Sequence, residues 1–136
     1  MFRRRGLFRE LPKLKSSNHF VAYIDILGAR KLMEQQNDKF LNDLNSIYFD
    51  TLNEVILTNV VSNKDIYLKI FSDNILIAIK TTKDDKNRQA KLEKIINLTG
   101  NFYNNILRHG YLARGAITEG LFYNDENNIF VYGKAL

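Results

Sequence analysis

The first strongly apolar run of the chain, Phe20-Val21-Ala22-Tyr23-Ile24-Asp25-Ile26-Leu27, is hydrophobic on both of the faces that a strand presents, and Gly28 ends it. Such a run predicts a strand covered on both sides. Over residues 38–58 the spacing changes to steps of three and four. Phe40, Leu41, Leu44, Ile47, Tyr48, Leu52, Val55 and Ile56 fall on one stripe, which predicts an amphipathic helix with Asn37 or Asp38 as its cap. Two short β-rich runs follow, Ile66–Phe71 and Ile75–Lys80, separated by Ser72-Asp73-Asn74, and these predict a hairpin. A second amphipathic helix is predicted over 86–108 from Leu92, Ile95, Ile96, Phe102, Tyr103, Ile106 and Leu107, with Gly110 as its stop. Tyr111–Phe122 then reads as a strand, 124–128 as a turn and Ile129–Tyr132 as a further short strand.

The resulting order, β-α-β-β-α-β with one extra strand, is that of the split βαβ or ferredoxin-like arrangement, an α+β fold. In that arrangement the first and third strands are antiparallel neighbours at the centre of the sheet. Asp25, near the end of the first strand, and Asp73, in the turn that opens the third, are therefore expected at the same edge of the sheet. A carboxylate inside an apolar strand costs several kcal/mol unless it is paired, ligated or at the strand's edge. Two that converge beside a glycine-containing loop match the demands of Mg²⁺, a hard cation that takes one or two carboxylates and completes its octahedron with water and phosphate oxygens. Taken singly, Asp73 also reads as an ordinary turn residue, and Asp25 as a carboxylate paired with an arginine. Tyr23 and Phe71 read as core.

Composition narrows the setting. The chain of 136 residues suffices for one compact domain, and its 45% hydrophobic content argues for a folded core. Cysteine is absent, which excludes disulfides and thiolate metal sites. No apolar run approaches the roughly 20 residues that span a bilayer, and the N-terminus lacks the apolar stretch of a secretory signal. A soluble, cytoplasmic protein is the simplest expectation. The net charge of +5 is concentrated in 1–18, where Arg3, Arg4, Arg5, Arg9, Lys13 and Lys15 face only Glu10. We therefore divide the chain into a basic extension, 1–18, and a charge-balanced domain, 19–136.

With these residues in view, the chain resembles the class III nucleotidyl (adenylyl and guanylyl) cyclases. The stretch 20–28 resembles their first metal-binding motif. Lys69-Ile70-Phe71-Ser72-Asp73-Asn74 resembles the second, and Arg114-Gly115-Ala116-Ile117-Thr118-Glu119-Gly120 the strand that follows. The wording Asp-Ile-Leu-Gly, Phe-Ser-Asp and the late Tyr-Gly-Lys-Ala-Leu is closest to the bacterial Pycsar pyrimidine cyclases, which make cyclic CMP or cyclic UMP as an antiviral signal against phage. The resemblance covers residues 19–136.

The resemblance implies a lyase that converts a nucleoside triphosphate, here CTP or UTP, to a 3′,5′-cyclic nucleotide and pyrophosphate. Asp25 and Asp73 would bind two Mg²⁺ or Mn²⁺ ions, with the Ile26 carbonyl as a further ligand. Leu27, Gly28, Ala29 and Arg30 would approach the triphosphate through backbone amides, and Lys69 would read the base. Arg114 reads as a strand residue with a structural role. Ala29 and Arg30 depart from the family's usual aromatic and small polar residues. Family members are homodimers with shared active sites. They also carry a further helix and strands with a catalytic arginine, so the resemblance makes this chain the N-terminal part of such a domain, C-terminally truncated. Two rival readings stand beside the enzyme. One is a degenerate cyclase-like module that binds nucleotide or dimerises. The other is a nucleic-acid-binding ferredoxin-like domain with the basic extension as its arm. Against nucleic acid stand the lack of paired strand aromatics for base stacking and the two carboxylates, which repel phosphate unless a metal intervenes.

Overall fold

The computed structural model describes residues 13–56, 65–124 and 131–133, a mixed α/β arrangement of five strands in one antiparallel sheet with helices packed on one face. The strands are β1 (Ser17–Ile26), β2 (Ile66–Phe71), β3 (Asn74–Lys80), β4 (Ala113–Asn124) and β5 (Val131–Gly133), and their order across the sheet is β2-β3-β1-β4-β5. The helices are α1 (Ala29–Gln35), α2 (Asn37–Ile56) and α3 (Arg88–Arg108). As expected from the element order, β1 is central and antiparallel to β3, with Asp25 opposite Asn74. On its other side β1 pairs with β4, with Asp25 opposite Arg114.

Alternation along β1 sorts its side chains. Phe20, Ala22, Ile24 and Ile26 point to the helices and join Ile75, Ile77 and Ile79 of β3 beneath Phe40 and Ile47 of α2 and Ile95, Leu98, Phe102 and Ile106 of α3. All of these are buried, and each contributes on the order of 1.5–3 kcal/mol, somewhat less for alanine. The other face carries a smaller cluster of Val21, Leu76, Ala78 and Phe122, with Tyr67 and Val131 packed against it. No helix among the described residues covers that face. This open face carries Tyr23 and Asp25.

The differences from the predicted elements have local causes. The single helix expected over 38–58 is preceded by a separate seven-residue helix, α1, because Gly28 turns left-handed at φ 72° and its carbonyl takes the Leu32 amide. Gln36, rather than Asn37 or Asp38, supplies the first carbonyl of α2, accepting from the Phe40 amide. Leu41 and Tyr48, counted on the apolar stripe, are exposed, and Thr51 takes a fully buried place there, its hydroxyl satisfied by the Ile47 carbonyl and the Asn105 amide. On α3, Ile96 and Leu107 are exposed while Leu98 is core. The turn expected at 124–128 lies, beyond Asn124, outside the described residues. So do Ile129 and Phe130 of the last predicted strand, the Lys-Ala-Leu that follows Gly133, and the greater part of the basic extension.

Candidate functional site

Three chain segments meet where β1 ends. Ile26, its last residue, donates its amide to the Asp73 carbonyl at 3.1 Å, which ties the hairpin turn to the strand. Leu27 donates to the Leu112 carbonyl at 2.8 Å, which ties the same strand end to the segment entering β4. The turn itself is made by Ser72 and Asp73, with Ser72 in the left-handed region at φ 57°. Its hydroxyl lies 3.6 Å from the Met33 sulfur, linking the turn to α1.

On the open face this arrangement brings the Asp25 and Asp73 carboxyl groups together. Burial raises the Asp73 pKa, its own backbone amide opposes the rise, and the adjoining Asp25 carboxyl adds to it. Tyr23, two residues before Asp25 and on the same face, has its phenol pKa raised by burial and then by both carboxylates. Its hydroxyl donates to Asn74 Oδ1 at 2.5 Å, and Asn74 Nδ2 donates to Asp73 Oδ1 at 3.3 Å. Arg114 stands across from Asp25, its Nε 3.6 Å from Oδ2, on a side chain that is 76% exposed. A long, solvated guanidinium at that distance neutralises the carboxylate pair only in part.

Two shallow depressions flank Tyr23. One, of about 400 Å³, is lined by Val21, Tyr23, Asp25, Arg114, Gly115 and Thr118 among others. The second, of about 650 Å³, is lined by Tyr23, Lys69, Phe71, Leu76 and Val131. Lys69 thus shares the open face with the carboxylates. Leu27, Gly28, Ala29 and Arg30 lie just beyond the strand end, but not as a free loop. The Leu27 amide is engaged by Leu112, Ala29 is buried, and Ala29 and Arg30 open α1.

The sequence marks Tyr23 and Phe71 as core, which the structure corrects, and Arg114 as a strand residue with a structural role, to which the structure adds a partner. Tyr23 and Phe71 are 39% and 43% exposed on the open face, and Arg114 pairs with Asp25. The signal that could have found Tyr23 is the two-residue alternation, which puts it on the face of Asp25 whatever else that face holds.

The donor set suits a hard divalent cation. It offers two adjacent carboxylates whose mutual repulsion a cation relieves, and among the described residues no third His, Cys, Asp or Glu joins them to make a protein cage. A carboxylate pair of this kind is what a hard cation such as Mg²⁺ takes while leaving positions for water and phosphate. No helix among the described residues is long and apolar enough to cross a membrane. No protein-family model and no curated protein matches the sequence.

Proposed function

We propose that this chain is a metal-dependent nucleotidyl cyclase of the class III type, acting on a pyrimidine nucleoside triphosphate as the Pycsar-like wording of its motifs implies. The observation that carries the reading is the convergence of Asp25 and Asp73 on the uncovered face of the sheet. Asp25 and Asp73 would hold two Mg²⁺ or Mn²⁺ ions, with the Ile26 carbonyl as the further ligand that the resemblance implies. Bound there, the metal supplies charge neutralisation at the triphosphate and lowers the pKa of the attacking 3′-hydroxyl.

The chain's own groups do the rest. Arg114 is placed to move from Asp25 to a phosphate oxygen, as its exposure and loose 3.6 Å contact allow. Lys69 faces the larger depression, which accommodates a base against Tyr23 and Phe71. The ribose 3′-oxygen attacks the α-phosphorus, its proton leaves to solvent, and the bond to pyrophosphate breaks. A second copy of the chain over the open face would complete the site in a homodimer. The exposed Tyr23 and Phe71 on that face offer it apolar surface.

Incubation with Mn²⁺ and each of ATP, GTP, CTP and UTP, with mass detection of cyclic products, tests the reading. Cyclic CMP or cyclic UMP is expected, and it should disappear in Asp25→Asn and Asp73→Asn, which keep the shape of each side chain and remove its charge. Metal-dependent nucleotide binding without any cyclic product would replace the enzyme by a nucleotide-binding module. Equal binding in both variants and the wild type would remove the metal site altogether.

A further inference from the structure

The segment entering β4 is anchored at a point that the carboxylate site does not touch. Tyr111 is buried, its ring set edge-on to Phe40 at 5.5 Å between centroids. Its hydroxyl donates to Asp43 Oδ2 of α2. Lys39, one turn earlier, donates to the same carboxylate oxygen at 2.7 Å and to the Tyr111 oxygen at 3.4 Å, and its ammonium lies 5.6 Å from the ring centroid. A hydrogen bond to a charged acceptor is among the stronger ones a side chain makes. The contact is built on a strand-entry residue, so it fixes main chain and not only side chain.

The next residue is Leu112, whose carbonyl accepts the Leu27 amide at the end of β1. Leu27 directly follows Ile26, whose amide holds Asp73, and Asp25 precedes Ile26. A continuous path therefore runs from Asp43 on α2 through Tyr111 and Leu112 to the strand end that carries one carboxylate and grips the other.

We propose that Tyr111, held by Asp43, is a positioning residue for the Asp25–Asp73 site: it keeps the end of β1 docked so that the two carboxylates stay adjacent. The proposal rests on reading those carboxylates as a metal site. Without the hydroxyl, the segment keeps its ring packing, the Tyr111 amide's bond to the Ile106 carbonyl and the Tyr103 hydroxyl's bond to the Ala113 carbonyl, but loses its hydrogen-bonded tie to α2. Leu27 then frays from Leu112, and the carboxylates spend part of their time apart. Preorganised ligands bind a metal more tightly than ligands that must be gathered first.

The test compares wild type, Tyr111→Phe and Thr51→Val by amide hydrogen exchange and by Mn²⁺ binding followed by electron paramagnetic resonance. Thr51→Val removes a buried hydrogen bond between α2 and α3 and serves as the control for general loosening. In Tyr111→Phe, Leu27 exchange should rise roughly tenfold relative to the Ile24 amide, and the Mn²⁺ dissociation constant should rise by about the same factor, the scale of one charge-assisted hydrogen bond. Thr51→Val should leave both ratios near wild type. Wild type and Tyr111→Phe binding Mn²⁺ equally would overturn the positioning role and leave the metal site standing. A wild type that binds no Mn²⁺ would remove the metal site, and the proposal with it.

Discussion

Asp73 sits in a two-residue turn with its carbonyl committed to Ile26 and its carboxyl turned toward Asp25. Because its pKa is raised in the fold, the folded protein binds a proton there more readily than the unfolded chain does. That penalty is absent below the ordinary carboxylate range, grows as pH rises through the folded pKa, and is complete at neutral pH. Asp73→Asn is therefore expected to stabilise the metal-free protein at pH 7 by roughly 1 kcal/mol, the size of a water-screened pair of unit charges about 4 Å apart. Urea unfolding in the presence of a chelator measures it, and the gain should vanish at about pH 3, below the ordinary carboxylate range. The presence of Asp25 in an apolar strand was legible as a cost needing an explanation. That Arg114 supplies part of it was not, because the partner lies on a strand far along the chain and only the register brings them opposite.

At the level of elements, the closeness of β1 to β4 depends on Gly115. A Cβ built there would lie 2.2 Å from the Tyr23 carbonyl oxygen, so no side chain fits without parting the two strands. Gly115→Ala should cost about 1–3 kcal/mol, the usual effect of overpacking. Because its neighbour Arg114 faces Asp25, the same change should weaken Mn²⁺ binding more than a substitution of equal cost elsewhere. Thermal unfolding alongside a metal titration checks both. The hairpin, β1 and the long α3 were readable from period and turn residues, since local sequence dictates them. The break between α1 and α2 was not, because it falls at Gln36, which leaves the helical region at φ -142°, and glutamine is by propensity an ordinary helix former. Exposure of Ile96, Leu107, Leu41 and Tyr48 was equally hidden, since a stripe of period 3.6 shows a helix's apolar side without showing how wide a surface its neighbours cover.

For the molecule as a whole, acid sensitivity should begin above the carboxylate range. His19 is buried, its Nδ1–H donates to the Ser17 carbonyl at 2.9 Å, and its ring packs on Phe122 at 5.1 Å. Burial pushes its pKa below 6.5, the Ser17 carbonyl opposes this, and the Lys80 ammonium adds to it. As pH falls from about 6.5 the unfolded chain takes up a proton that the folded state refuses, so stability drops until the folded pKa is passed. The slope is at most about 1.4 kcal/mol per pH unit, the limit for one proton. Urea midpoints at pH 7.5 and 5.5 should differ in the wild type and differ less in His19→Gln. The sequence by itself determined the succession of strands and helices, the turn around Asp73 and the candidacy of Asp25, because period, turn chemistry and the cost of a buried charge act over a few residues. Only the tertiary structure decided that Arg114 comes opposite Asp25, that Asn74 links Tyr23 to Asp73, and that no helix among the described residues covers the second face of the sheet. Those outcomes depend on register and on which surfaces remain uncovered after packing, and neither is written in any local stretch of the chain.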